Sequence, residues 1–226
     1  MKIIELESVD STNEFIKRSD CGKDLTVCAL SQTAGRGTKG RSFVSDKGGL
    51  YVSVLRHYKD FKSENAFKIM VNACVAVCKT VEFFGLKPVI RWANDVLVNG
   101  KKICGTLIEN VFSGSYISRS VVGVGLNVNN ALPPELKDIA ASFKSELGRE
   151  TDINEVRRIL LKNLSKNYGI KEYKSYINWF GADVALKTSD GEFAATALDI
   201  DFDGKLICII GGSMKKISSA EVSLRL

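Results

Sequence analysis

Residues 31–43 read Ser31-Gln32-Thr33-Ala34-Gly35-Arg36-Gly37-Thr38-Lys39-Gly40-Arg41-Ser42-Phe43, with three glycines set among three cations. Glycine lets backbone N–H groups turn inward and lets the chain approach a ligand closely. Arg36 and Arg41 can offer planar forks to phosphate or carboxylate oxygens, and Lys39 a point charge. The chemistry that suits such a stretch is the holding of an anion-bearing small molecule under a closing loop. The spacing is neither a Walker A loop nor a dinucleotide fingerprint, because a strand rather than a helix follows. A solvated basic loop would read the same way on its own.

A second cluster shifts that balance. Arg91, Asn94 and Asp95 stand just before Val96-Leu97-Val98-Asn99-Gly100-Lys101-Lys102-Ile103-Cys104-Gly105-Thr106-Leu107-Ile108-Glu109. Asn-Gly between apolar runs is a strong hairpin signal, so Val96–Val98 should pair with Ile103–Ile108. Strand alternation puts Lys101 and Lys102 on opposite faces, so one of them at most enters a given pocket. A third stretch, Gly123-Val124-Gly125-Leu126-Asn127-Val128-Asn129, spaces glycines as a strand does where a backbone or ligand comes near. Near the start, Ser11 with Glu14 has capping-box spacing and predicts a helix from Ser11. Ser11 suits either a plain cap or a donor for a polar ligand group.

The elements that must carry these residues are readable. Apolar runs at 3–7, Leu25–Leu30, Leu50–Leu55, Val89–Trp92 and 116–128 read as strands. Residues 63–84 are apolar nearly all round and predict a buried helix ending at Gly85. Asp152 and Glu155 open another, with Ile153, Val156, Leu160 and Leu164 on one face. From Ala182 short strands alternate with turns at Asp190-Gly191, Asp203-Gly204 and Gly211-Gly212, as in a small antiparallel barrel. A boundary is expected near Phe180–Gly181, giving units 1–180 and 181–226.

The chain has 226 residues, 45% apolar and 26% charged, with a formal charge of +6. That composition is ordinary for a soluble globular protein, and the mild positive excess suits an anionic ligand or acidic partner. There is no membrane-length apolar span, and acids stand where a signal peptide would be apolar, so a cytoplasmic protein is expected. The six cysteines then read as reduced thiols. Cys74 and Cys78, one helical turn apart, read as small buried hydrophobes rather than half a metal site.

Together these motifs resemble the biotin protein ligases. That family carries a G-R-G-R-x-G-R-x-W loop, matched by Gly35 to Phe43, and K/R-W-P-N-D, matched by Arg91-Trp92-Ala93-Asn94-Asp95. Its K-x-x-G-I-L-x-E strand is matched by Lys102 to Glu109, its D-S-T-N by Asp10 to Asn13, and its G-x-G-x-N-x-N by Gly123 to Asn129. The resemblance covers nearly the whole chain. It implies an α+β fold: a mixed sheet flanked by helices, like a class II synthetase, with a small C-terminal SH3-like β-barrel. It implies an ATP-dependent enzyme that joins biotin to AMP with Mg²⁺, then passes biotin to a lysine of a biotin carboxyl carrier protein. Ser11, Thr12, Gln32, Gly35, Arg36, Lys102 and Gly105 would surround biotin. Arg36, Thr38, Lys39, Arg41, Phe43, Asn94, Asn127 and Arg225 would hold ATP or the adenylate. Lys102, Arg41 and Asp95 would be catalytic, Asp95 by orienting or deprotonating the acceptor lysine. No protein ligand to a metal is assigned. No nucleic-acid or membrane partner is implied, because too few residues precede Ser11 for the DNA-binding module of the longer family members. A homodimer is one form the family allows.

Three positions depart from the pattern. Thr38 stands where a basic residue is usual, Ala93 where proline is, and Phe43 where tryptophan is. Lipoate–protein ligases share the fold and the adenylate logic, but their R-R-x-S-G-G-G-x-V loop and downstream H-D are missing. A nucleic-acid-binding regulator would need more base-stacking aromatics than Phe43 and Tyr51.

Overall fold

β-branched runs and one all-round apolar helix build a seven-stranded mixed sheet. The computed structural model describes residues 2–19, 22–188, 191–219 and 223–225, with the backbone alone at Ser223 and Arg225. The chain runs β1 (Lys2–Leu6), α1 (Thr12–Arg18), β2 (Leu25–Ala29), β3 (Leu50–Lys62), α2 (Phe67–Phe83), β4 (Pro88–Arg91), β5 (Asp95–Val98), β6 (Lys101–Ser113) and β7 (Tyr116–Leu126). The sheet order is β1-β2-β3-β7-β6-β5-β4, with β1 parallel to β2 and the other pairs antiparallel. Three helices follow: α3 (Phe143–Leu147), α4 (Ile153–Leu164) and α5 (Ile170–Ser175).

Alternation along the strands decides which face does what. Val52 and Val54 of β3, with Val122 and Val124 of β7, join the large core that α2 enters through Cys74, Val75, Val77 and Cys78. The flanking Leu55 and Val121 face the other way and pack with Ile16 of α1. Ser53, Gly123 and Gly125 therefore share the face on which α1 sits, and that is the face of the site. Each fully buried aliphatic side chain contributes about 1.5–3 kcal/mol, so the α2 face supplies most of the stability. Cys74 and Cys78 lie in this core. Burial pushes the Cys74 thiol up to about 12 and that of Cys78 well above its ordinary value. Among the described residues no cluster of metal-ligating side chains is present.

Several boundaries differ from expectation. Residues Ser63–Asn65 form a 3₁₀ turn ahead of α2. β3 runs on to Lys62 and β6 to Ser113, well past the hairpin contact with β5. The Asn99-Gly100 turn forms as expected, with φ of 50° and 77°. Ser11 does stand at the N-cap of α1, but the capping box does not form. The Ser11 side chain makes no cap hydrogen bond, and Asp10 Oδ1 accepts from the Ser11 N–H at 2.8 Å. In α4 Asp152 caps as expected, accepting from Asn154 N–H at 2.9 Å.

The C-terminal strands β8 (Asp183–Lys187), β9 (Glu192–Ile200), β10 (Leu206–Ile210), β11 (Ser213–Ile217) and β12 (Ser223–Arg225) form a separate antiparallel sheet in the order β11-β10-β9-β8-β12. The Asp203-Gly204 turn docks on the first unit. Trp92 Nε1 donates to the Gly204 carbonyl at 2.9 Å, and the Phe67 ring lies where a Gly204 side chain would be. The expected turn at Asp190-Gly191 falls partly outside the described residues. Among those described, no helix is long and apolar enough to cross a membrane.

Candidate functional site

The glycine-rich stretch is a tight hairpin rather than an open loop. Phe43 N–H donates to the Gly35 carbonyl at 2.9 Å and Gly37 N–H to the Arg41 carbonyl at 2.6 Å. Lys39 and Gly40 turn the chain with φ of 58° and 71°. A Cβ on Gly35 would lie 2.3 Å from the Phe43 carbonyl oxygen, so glycine is required there by the hairpin itself.

This hairpin, the N-terminus of α1, the start of β5–β6 and the end of β7 enclose a cavity of about 100 Å³. Of the residues expected at the site, Ser11, Thr12, Gln32, Arg36, Thr38, Arg41, Phe43, Asn94, Asp95, Lys102 and Gly105 line it. Gly35, Lys39 and Asn127 do not. The left-handed turn carries Lys39 outward, and the Asn127 amide donates to the Ala141 carbonyl at 3.0 Å while accepting from Asn130. The Arg225 side chain lies outside the described residues. Asn13, Thr106, Gly123 and Gly125 also line the cavity. The spaced glycines hinted at the last two; nothing in the sequence singled out Asn13 within its motif.

Gly125 and Gly105 form the floor beneath Phe43. A Cβ on Gly125 would fall 2.6 Å from that ring, and one on Gly105 3.0 Å from Lys102 Nζ. Lys102 Nζ lies 5.6 Å from the ring centroid, within cation–π range. Thr38 folds Arg41 back onto the hairpin, its carbonyl and hydroxyl each accepting from the guanidinium at 3.2 Å. On the α1 side, Gln32 Oε1 accepts from the Thr12 N–H at 2.8 Å and hydroxyl at 3.0 Å. From the strand below, the Ser53 hydroxyl donates to Asn13 Oδ1 at 2.5 Å and lies 2.8 Å from the Thr12 hydroxyl.

Asp95 binds Lys102 Nζ through Oδ1 at 2.7 Å and Arg91 through Oδ2 at 2.7 Å. Burial alone would raise its pKa, but the charges of Lys102 and Arg91 outweigh that and hold it below 3.8. The carboxylate is thus kept above the ordinary value and lost only as pH falls through the depressed one. An anion held between two cations is a poor proton acceptor, so the base role expected of Asp95 does not fit its surroundings. Its geometry instead aims Lys102. We predict that Asp95→Asn slows the first chemical step about tenfold, the cost of a misaimed group. The pH profile of the second step between pH 6 and 8 should stay unchanged; loss of a fall in rate on its acid side would restore Asp95 as the base.

The turn carrying Asp95 is braced from behind. The Ala93 carbonyl accepts from the buried Tyr173 hydroxyl at 2.7 Å, and Trp179 Nε1 donates to the Ile90 carbonyl at 2.8 Å. Those contacts hold the segment where the resembling family has proline. Among the described residues the cavity wall carries three cations, Arg36, Arg41 and Lys102, against one carboxylate, Asp95. The net positive wall, glycine floor and hydroxyl-rich end suit a ligand with an anionic middle and a neutral polar end.

Comparison with known proteins finds relatives along nearly the whole chain. Residues 5–127 match the biotin/lipoate A/B protein ligase family, and residues 180–225 match the biotin protein ligase C terminal domain. The bifunctional ligase/repressor BirA of Bacillus subtilis is 32% identical over 234 residues, spanning 97% of this chain and 72% of that protein. The biotin–[acetyl-CoA-carboxylase] ligase of Mycobacterium tuberculosis is 29% identical, spanning 94% of this chain and 85% of that one. The structure of biotin protein ligase from Aquifex aeolicus in complex with biotin and ATP is similar with a TM-score of 0.85 and 31% identity, covering 99% of this chain and 98% of that one.

Proposed function

Because the chain belongs to the biotin/lipoate A/B protein ligase family, we propose that it is an ATP-dependent ligase that activates biotin as biotinyl-5′-AMP and transfers it to a lysine of a biotin carboxyl carrier protein. The observation that carries this reading is the convergence of Arg36, Arg41 and Lys102 on one glycine-floored cavity. Biotin's carboxylate attacks the α-phosphorus of ATP; a C–O–P bond forms, the α–β bridge breaks and pyrophosphate leaves. Two anions must meet for that to happen. Lys102 and Arg41 offset their repulsion and stabilise charge on the phosphate in flight. Ser11, Thr12, Gln32 and Arg36 bind the neutral end and the carboxylate. Phe43 offers a face for the adenine, without the N–H that tryptophan would add.

Mg²⁺ bound with ATP would screen the triphosphate charge. Among the described residues the one carboxylate on the wall, Asp95, is committed to Lys102 and Arg91, so no protein ligand to the ion is assigned. In the second step the acceptor amine attacks the anhydride carbonyl and AMP leaves. We place the boundary between the catalytic unit and the C-terminal unit at 180–181, supported by the Gly181 N–H already bonding the Ala197 carbonyl at 2.7 Å. A cytoplasmic setting, where ATP is abundant and thiols stay reduced, fits the reading.

The test is adenylate formation from labelled ATP with biotin or lipoate as competing acids. Biotinyl-AMP should form and lipoate should compete poorly. Preferential lipoyl-AMP would move the chain to the lipoate branch, and no adenylate with either acid would remove the ligase reading.

Thr38 bears on how long the adenylate stays. A threonine there leaves the hairpin one cation short and occupies part of the Arg41 fork. We expect biotinyl-AMP to escape faster from this protein than from its Thr38→Arg variant, by about three- to tenfold for one partly exposed charge contact. Equal release rates, measured by trapping free adenylate, would refute this.

A further inference from the structure

The glutamate expected to cap α1 is turned to another use. The Ser11 N–H that a capping box would give to Glu14 is taken by Asp10. Glu14 instead forms ion pairs with Arg36 of the hairpin and with Lys17, the latter at 2.9 Å. Lys17 continues to Glu109 Oε1 at 2.6 Å, and Glu109 Oε2 accepts from Asn13 Nδ2 at 2.8 Å. The chain of contacts Arg36–Glu14–Lys17–Glu109–Asn13 begins and ends on the cavity wall and alternates in charge until its last member. It joins the hairpin to α1 and to β6.

We propose that Glu14 is a positioning residue for biotin activation, holding the Arg36 guanidinium against the cavity before ligand arrives. The inference rests on the reading of Arg36 as a biotin-facing cation. The hairpin holds the Arg36 backbone against Ser42, but its side chain is 55% exposed, so packing constrains the guanidinium little. A long flexible cation loses rotamer freedom when a ligand fixes it. A cation already fixed by a carboxylate loses less on binding, which is preorganisation. Glu14 is half-buried, at 27% exposure, and Lys17 beside it, with burial opposing and Arg36 adding, holds its carboxyl below the ordinary 4.5. It is therefore charged throughout the neutral range. Lys17 keeps Glu109 when Glu14 is changed, so α1 stays anchored to the sheet and the fold should be little affected.

The experiment compares wild type, Glu14→Gln and Glu14→Asp in biotin-dependent ATP–pyrophosphate exchange at low and high salt, with thermal melting alongside. Glu14→Gln should raise KM for biotin about three- to fivefold, the scale of a partly exposed ion pair. KM for ATP, kcat and Tm should stay near wild type. Added salt should narrow the difference in biotin KM between wild type and Glu14→Gln, because it screens the Glu14–Arg36 pair, and Glu14→Asp should recover part of the lost affinity. A wild-type biotin KM in Glu14→Gln would overturn the inference. So would a rise in both KM values with a fall in Tm, which would mark Glu14 as merely structural. Absence of biotin-dependent exchange in the wild-type protein would instead strike at the proposed function, and this inference would fall with it.

Discussion

Lys102→Ala is expected to lower biotin-dependent ATP–pyrophosphate exchange by about 10²–10³-fold, the usual loss when one preorganised charge is taken from a transition state. The argument is geometric. Lys102 is aimed into the cavity by Asp95 at 2.7 Å and stands 5.6 Å from the Phe43 ring, while the neighbouring Lys101 leaves by the other face and donates to the Lys137 carbonyl at 2.7 Å. Lys101 cannot substitute for it without reversing the strand register. The variant should remain folded, because Asp95 keeps Arg91 as a partner at 2.7 Å and the removed side chain is 28% exposed. A melting curve close to wild type together with collapsed exchange is the expected pair of results. An unchanged exchange rate would remove Lys102 from the chemistry.

Gly123→Ala carries the second large effect, and it arrives through packing. A Cβ at Gly123 would stand 2.3 Å from Asn13 Oδ1. Asn13 cannot simply swing away. Its Oδ1 accepts from Ser53 at 2.5 Å and its Nδ2 donates to Glu109 at 2.8 Å. Both Asn13 and Ser53 are buried, so displacing Asn13 leaves polar groups without their bonds at about 1–3 kcal/mol each. The Ser53 hydroxyl also lies 2.8 Å from that of Thr12, which in turn donates to Gln32. The disturbance therefore reaches the hydroxyl-rich end of the cavity. We expect biotin affinity to fall at least about tenfold, with a destabilisation of roughly 2–4 kcal/mol. Titration calorimetry with biotin and chemical denaturation measure the two. Wild-type affinity in Gly123→Ala would mean that Asn13 and its partners do not shape the site.

Much of this arrangement could be read from the residues. Asn99-Gly100 marked a hairpin, alternation along it let one lysine at most face a given pocket, and the family resemblance pointed to Lys102. Cations and glycines in one stretch marked a loop for an anion, and that loop shares a cavity with the hairpin lysine. What escaped notice depended on partners distant in sequence. Glu14 and Ser11 have the spacing of a helix cap, but Asp10 and Arg36 compete for their groups and win. Asn127 reads as a ligand contact, yet its amide is bonded to Ala141, in a segment that carries no periodic signal. Asp95 reads as a group that orients or deprotonates the acceptor lysine, and Arg91 and Lys102 on its two oxygens disfavour the second role. Lys39 looks interchangeable with Arg41 until the backbone turns left-handed there. The docking of Gly204 on Trp92 has no local signature, because it links residues more than a hundred positions apart.

The most direct measurement of the central claim is the intact mass of a biotin carboxyl carrier domain after incubation with the protein, biotin, ATP and Mg²⁺. The account predicts the addition of one biotinyl group to a single lysine, dependent on ATP and greatly reduced when Lys102→Ala replaces the wild type. A carrier that keeps its original mass with the wild-type protein, or that is modified equally well by Lys102→Ala, would contradict it.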